Sequence, residues 1–198
     1  MSVFRLSKKR SAAAVPLEAI ESEVVAKYEE HAAALLRYAG VFTGDRETAR
    51  DALQEVFLRY FILRCEGREV FPVKPWLFRV VRNYLLDCMK AARSKNHVTL
   101  EEIPNAEERR KDPEAAYART ELLERLLVVL TCREIECLRL RAEGMQYDEI
   151  AQVLGVRSGT VGAMLAHCQK KLQRERQRMD DERNGQEIPH APKQAYAP

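Results

Sequence analysis

The chain has five cysteines, Cys65, Cys88, Cys132, Cys137 and Cys168, and no two of them form a Cys-x-x-Cys pair. That spacing offers neither a thiolate zinc site nor a redox dithiol. Most of them fall on apolar helix faces, where cysteine reads as a small buried hydrophobe in a reducing compartment. The four histidines, His31, His97, His167 and His190, are just as scattered. No nucleophile–base set, metal quartet or glycine-rich phosphate loop accompanies them. Neither an enzyme nor a bound cofactor or metal is expected. No stretch approaches the roughly 18 apolar residues of a membrane span. The basic start, MSVFRLSKKRSAAAVP, lacks the apolar centre of a secretory signal. The expected compartment is therefore the cytoplasm. A strong net charge is also missing. Lys and Arg number 33 and Asp and Glu 30, for a net charge of +3. Any contact with nucleic acid must come from local patches.

What is present is helical periodicity. The expected fold class is all-α, with two small helical domains joined by a flexible linker. Residues 1–15 read as a flexible basic tail and 16–93 as a first helical domain. Residues 94–120 hold Pro104, Pro113 and mixed charge, and read as a linker. Residues 121–179 read as a second helical domain, opened by a helix carrying Leu122, Leu123, Leu126, Leu127 and Leu130. Residues 180–198 are polar and proline-bearing and read as a disordered tail.

The clearest motif lies in the second domain. In YDEIAQVLGVRSGTVGAMLAHCQKKL, Ile150, Ala151 and Leu154 share one face of a short helix, and Gly155 stands where a helix ends in the left-handed conformation. A second helix follows, capped by Ser158 or Thr160, with Val161, Met164, Leu165, Cys168 and Leu172 in one stripe. Short helix, glycine turn and longer helix make a helix–turn–helix, which places its second helix in a DNA major groove. Upstream, Thr131 and Glu134 have the spacing of a capping box.

Two faces of the first domain also carry information. In the helix expected from Asp45 to about Arg64, Ala49, Ala52, Leu53, Val56, Phe57 and Tyr60 form the core stripe. Opposite them run Asp51, Gln54, Glu55, Leu58 and Ile62. A polar start followed by two aliphatics suits docking onto a protein, or burial under a neighbouring helix. In the next helix Leu77, Val80, Val81, Tyr84, Leu85 and Cys88 form the buried stripe. Its other side carries Arg79, Arg82, Asn83, Lys90 and Arg93, flanked by Trp76, Phe78 and Tyr84. Cations beside aromatic rings suit phosphates and unstacked bases. A tryptophan placed like Trp76 is more often a core anchor than a base platform.

The order of DALQEVFLRYF, PWLFRVVRNYLLD, a variable linker and LTCREIECLRLRAEGMQYDEIAQVLGVRSGTV resembles an extracytoplasmic-function sigma factor of the sigma-70 family. The resemblance covers about residues 16–93 and 121–175. It implies a protein that binds bacterial RNA polymerase core and directs it to promoters, without catalysis of its own. It implies docking on the clamp helices of the largest subunit through Asp51, Gln54, Glu55 and Leu58. It implies contact with the −10 element through Trp76, Arg79, Arg82, Asn83, Lys90 and Arg93. Contact with the −35 element would come from the recognition helix and its flanks: Arg157, Ser158, Thr160, Met164, His167, Lys170 and Lys171. An anti-sigma factor is a further implied partner.

The chain departs from the family in that recognition helix. Relatives place several cations after the G-T-V; here Gly162, Ala163, Met164, Ala166, His167, Cys168 and Gln169 precede Lys170. Each lost phosphate contact weakens binding and flattens its salt dependence. Two other readings stay open at this stage. A LuxR-type regulator shares the L-T-x-R-E and the helix–turn–helix, but the first domain lacks the strand alternation of its usual partner domain. A sigma-derived adaptor that no longer reads promoters would account for the base-poor helix.

Overall fold

The computed structural model describes residues 5–8, 15–95 and 128–185. Its helices are α1 (Leu17–Thr43), α2 (Arg46–Cys65), α3 (Val73–Lys95), α4 (Cys132–Ala142), α5 (Tyr147–Leu154) and α6 (Ser158–Gly185). Two short strands, β1 (Arg5–Lys8) and β2 (Arg68–Phe71), accompany them. The helix expected over residues 121–127 and the linker before it lie outside the described residues.

α1 ends at Gly44, whose φ of 61° is a left-handed conformation that glycine adopts without a Cβ penalty. Asp45 then caps α2, its carboxylate accepting from the N–H groups of Glu47 and Thr48 at 3.2 and 2.8 Å. So short a connection makes α1 and α2 an antiparallel pair. Their far ends are tied by Glu23, which accepts from Tyr60 Oη at 2.6 Å and from Arg64 Nη2 at 2.9 Å. α3 packs on both. Leu35, Ala39, Ala52, Val56, Tyr60, Leu77, Val81 and Leu85 meet in one core.

In the second domain the Thr131 hydroxyl accepts from the Glu134 N–H while the Glu134 carboxylate accepts from the Thr131 N–H, the expected capping box. Gly155 closes α5 at a φ of 69°, and the Val156 N–H reaches back to the Ala151 carbonyl. α6 follows at Ser158. Short α5, tight turn and long α6 form the helix–turn–helix read from the sequence.

Three features differ from the sequence reading. The segment expected as a flexible N-terminal tail contributes β1, which pairs antiparallel with β2 from Arg5 opposite Phe71 to Lys8 opposite Arg68. β2 itself lies in the connection between α2 and α3. Strand pairing of this kind is made by backbone groups of an open edge, so it leaves no trace in side-chain periodicity. At the other end α6 runs six residues beyond position 179. Arg176 with Asp180 (3.9 Å) and Arg178 with Glu182 (3.3 Å) support the extension at i,i+4 spacing, in sequence that reads as merely polar. Finally, Phe78, placed beside the basic face of α3, is completely buried, its ring centroid 5.2 Å from that of Tyr38 in an edge-to-face contact.

The burial of Phe78 has a simple source. α3 is packed from two sides, by α1 and α2 on one and by α5 of the second domain on the other. Leu140, Met145, Ile150, Val153 and Val161 join the same core as Leu77, Phe78 and Val81. A single-stripe helical pattern cannot describe a helix that is covered on both flanks. Phe78→Ala should destabilise the chain by about 3–5 kcal/mol, measured by denaturant unfolding.

Candidate protein and nucleic-acid interfaces

The first face lies on α2. Asp51, Gln54, Leu58 and Ile62 are exposed, Leu58 by 54%. Glu55 is half-buried and paired with Arg59 one turn on. An aliphatic left in solvent beside a polar row is a surface that loses water favourably when a partner covers it. The structure adds two residues that sequence reasoning missed, Val25 and Tyr28 of α1, exposed by 55% and 46%. The Tyr28 ring meets that of the buried Phe57 edge to face, with their centroids 5.0 Å apart.

The second face, on α3, is divided. Asn83 is exposed, and so is Lys90, which pairs loosely with Asp87 at 3.3 Å. Arg93 belongs to the C-terminal end of α3; its side chain lies outside the described residues. Trp76 is buried, 5.9 Å from Tyr60, and is a core anchor here. Arg79 and Arg82 face the second domain. Arg82 Nε donates to Glu136 Oε1 at 2.6 Å, and Tyr38 Oη donates to the same oxygen at 2.7 Å. Arg79 Nη1 reaches the Gln152 carbonyl at 3.4 Å. Around this seam Arg37 forks onto Glu143 at 2.9–3.2 Å, and Lys74 donates to the Glu143 carbonyl. Burial first, then the Glu136 carboxylate, raises the Tyr38 hydroxyl well above its ordinary range, so it stays a donor.

The third face is the start of α6. Arg157, Thr160, His167 and Lys170 are exposed, Ser158 is half-buried, and Met164 is partly buried against the core. The Arg157 carbonyl accepts the Thr160 and Val161 N–H groups and so begins the helix. His167 and Lys171 are engaged elsewhere. His167 Nδ1 lies 3.0 Å from Glu134 Oε1, and Lys171 Nζ lies 2.8 Å from Oε2. The His167 imidazole and the Lys171 ammonium thus brace α6 against α4.

The cysteine reading needs correction. Cys137 and Cys168 are buried as expected, but Cys65 and Cys132 are exposed. Each sits at a helix terminus, where facing the core is not imposed by the helical repeat.

Two family models match the chain, one over each helical unit. The family described as Sigma-70 region 2 matches residues 28–95, the unit of α1 to α3. The family described as bacterial regulatory proteins of the luxR family matches residues 128–178, the helix–turn–helix unit. The ECF RNA polymerase sigma factor SigL of Mycobacterium tuberculosis is 32% identical over 154 residues, covering 74% of this chain and 85% of that protein. The ECF RNA polymerase sigma factor BldN of Streptomyces coelicolor is 28% identical over 154 residues, covering 74% of this chain and 58% of that protein. Among solved structures, the sigma factor RpoE of Bartonella quintana, in complex with the anti-sigma factor NepR, aligns with a TM-score of 0.58 at 20% identity. That alignment covers 81% of this chain and 98% of the other. CnrH, in complex with the cytosolic domain of CnrY, aligns with a TM-score of 0.53 at 22% identity, covering 79% and 89%.

A helix–turn–helix alone defines only a class, the DNA-reading domains that sigma factors share with LuxR-type regulators. The region 2 unit separates the two: the chain belongs to the ECF RNA polymerase sigma factors.

The Glu134 cluster yields a pH prediction. Burial pushes this carboxyl up, but the Lys171 ammonium and the N–H and hydroxyl of Thr131 outweigh it and bring the value down to about 2. A carboxyl held below its unfolded value of about 4.5 adds stability that is complete above that pH and is lost as pH falls toward about 2. Glu134→Gln should therefore be less stable than the parent at pH 7, with the gap closing between pH 4.5 and 2. Thermal unfolding across that window measures it.

Proposed function

We propose that this protein initiates promoter-specific transcription by docking on RNA polymerase core through α2 and presenting α3 to the −10 element and α6 to the −35 element. The observation that carries the docking assignment is the exposed row Asp51, Gln54, Leu58 and Ile62 on an otherwise well-packed helix. Such a row fits the clamp helices of the largest polymerase subunit, with Val25 and Tyr28 widening the apolar part. The domains divide the work: 16–93 for core and −10 contacts, 121–179 for −35 contacts, with 94–120 as the connection. Polymerase supplies the chemistry, so this chain needs no catalytic residue, metal or cofactor. Its place of action is then the cytoplasm; no described helix is long and apolar enough to cross a membrane.

On α3 the exposed Asn83 and Lys90, with Arg93, extend the row begun by Arg79 and Arg82 toward the C-terminal end of the helix. On α6 the exposed Thr160, Ala163 and Ala166 offer methyl groups, which suit thymine methyls in the major groove better than phosphates. Arg157 and Lys170 flank them. An anti-sigma factor is a natural partner, since a solved structure with this fold, that of RpoE, is a complex with the anti-sigma factor NepR.

The test is in-vitro transcription with polymerase core on genomic DNA, mapping start sites. Discrete starts that require the added chain are expected. Core binding without any start would replace this reading with that of an adaptor. Gln54→Ala with Leu58→Ala should weaken core binding at least tenfold, equivalent to about 1.4 kcal/mol, with helical content unchanged by circular dichroism. Asn83→Ala with Lys90→Ala should instead lower the yield of open promoter complex, read by permanganate footprinting, at unchanged core affinity.

A further inference from the structure

We propose that His167 is a specificity-determining residue of the −35 reader and that Glu134 is its positioning residue. The carboxylate takes up one imidazole nitrogen, and the other, Nε2, is presented to a base edge in the major groove. This rests on the assignment of α6 to DNA made above.

Glu134 lies in the first turn of α4 and is itself buried, 5% exposed. Its two oxygens are used differently. Oε2 accepts from the Thr131 N–H at 2.8 Å, the Thr131 hydroxyl at 2.9 Å and the Lys171 ammonium at 2.8 Å. Oε1 faces His167, whose Nδ1 lies 3.0 Å away. At that distance from an anionic oxygen the nitrogen carries its proton, because a bare lone pair there would be repelled. Nδ1–H is thus turned toward α4, and Nε2, across the ring, is turned away from it. The His167 side chain is 64% exposed, so the outward nitrogen meets solvent. His167 shares the outer face of α6 with Thr160, Ala163 and Lys170. With Met164 and Ala166 these residues line a shallow depression of about 350 Å³. A carboxylate that fixes one imidazole nitrogen sets the tautomer and the aim of the other.

The two charge states of such an imidazole read different bases. With its one proton on Nδ1, Nε2 accepts a hydrogen bond. The matching major-groove donors are the N6 amine of adenine and the N4 amine of cytosine. With a second proton Nε2 donates. Guanine, which presents O6 and N7 as acceptors and no donor, is then the best match. Glu134 is ionised in both states, its own value lying at about 2. The other charges beside the ring belong to α6: Lys171 on the same carboxylate and Lys170 on the outer face. α5 sets its Tyr147 ring beside Gly162, more than a turn back along α6. Without the carboxylate, an imidazole on an exposed helix face samples several rotamers and both tautomers, and its choice of base averages out.

The test uses holoenzyme assembled from polymerase core and the full chain. It is bound to a library built on one promoter from the start-site mapping, randomised across the −35 element. The bound DNA is sequenced at about pH 8 and about pH 6. At one −35 position the parent is expected to favour adenine or cytosine at the higher pH by about fivefold, and to shift toward guanine at the lower. His167→Asn keeps an N–H for Glu134 near the place of Nδ1 and removes Nε2. It should lose that preference at both pH values and keep selection at the other positions. Glu134→Gln keeps the imidazole and removes its anchor, and should flatten the preference at the same position several-fold. Survival of every −35 preference in His167→Asn overturns the inference and leaves the assignment of α6 to DNA standing. A His167-dependent preference that is the same at both pH values also overturns it. A parent with no −35 preference at either pH overturns that assignment and the inference together. Circular dichroism at both pH values establishes that each variant is folded. His167→Asn leaves the Thr131 box and the Lys171 pair in place, so it carries the test even where Glu134→Gln fails to fold.

Discussion

Glu136 is buried, so its charge has to be met by protein groups, and the groups that meet it come from the other domain. Tyr38 and Arg82 both turn to one oxygen of this carboxylate. Removing either partner would leave a buried anion short of a donor, a larger penalty than the pair's own net contribution. The orientation of the two domains in this structure follows from that requirement together with the apolar contact beside it. The outer groups, Arg37, Lys74 and Glu143, lie nearer solvent. Their attraction is weakened by salt, whereas the inner pair is largely shielded from it. The seam is therefore fixed by its centre and trimmed by its rim.

Each domain carries its surfaces on a scaffold that does not depend on them. Asp45 and Gly44 set the α1–α2 turn, Glu23 ties the open end, and the exposed row of α2 is left over once the core stripe is satisfied. The second domain is set by the Thr131 box and by Gly155. Its recognition helix is then braced by Glu134 through His167 and Lys171. That bracing takes one of the helix's few cations, Lys171, away from the outward face. What remains outward is short and partly apolar, in keeping with reading base methyls more than phosphates.

Local signals were legible in the sequence wherever one stripe faced one core. The caps at Asp45 and Thr131, the stop at Gly155, the core stripe of α2 and the helix–turn–helix all follow from residue type and spacing. Trp76 was ambiguous for a physical reason: a tryptophan at the start of a basic helix has the same pattern whether it stacks on Tyr60 or on a base. Phe78 and Arg82 were placed on an open face because periodicity cannot register a second covering element that arrives from beyond residue 128. β1 was invisible because four residues paired through their backbone to an equally short strand carry too little side-chain pattern to register. The two cysteines at helix ends were misjudged because burial there is not tied to the helical repeat. The functional faces fared likewise: their residues could be named, but which of them are free and which already have partners depends on how the domains meet.

The exposed thiols have a consequence of their own. Cys65 ends α2 in the first domain and Cys132 begins α4 in the second, so each domain carries one natural attachment point. Cys137 and Cys168 are buried, and burial holds both thiols above their ordinary range, which keeps them protonated and slow to react. With the half-buried Cys88 replaced by serine, a dye pair coupled at Cys65 and Cys132 would act as a ruler across the molecule. Its transfer efficiency would follow the separation of the domains in real time as polymerase and DNA are added.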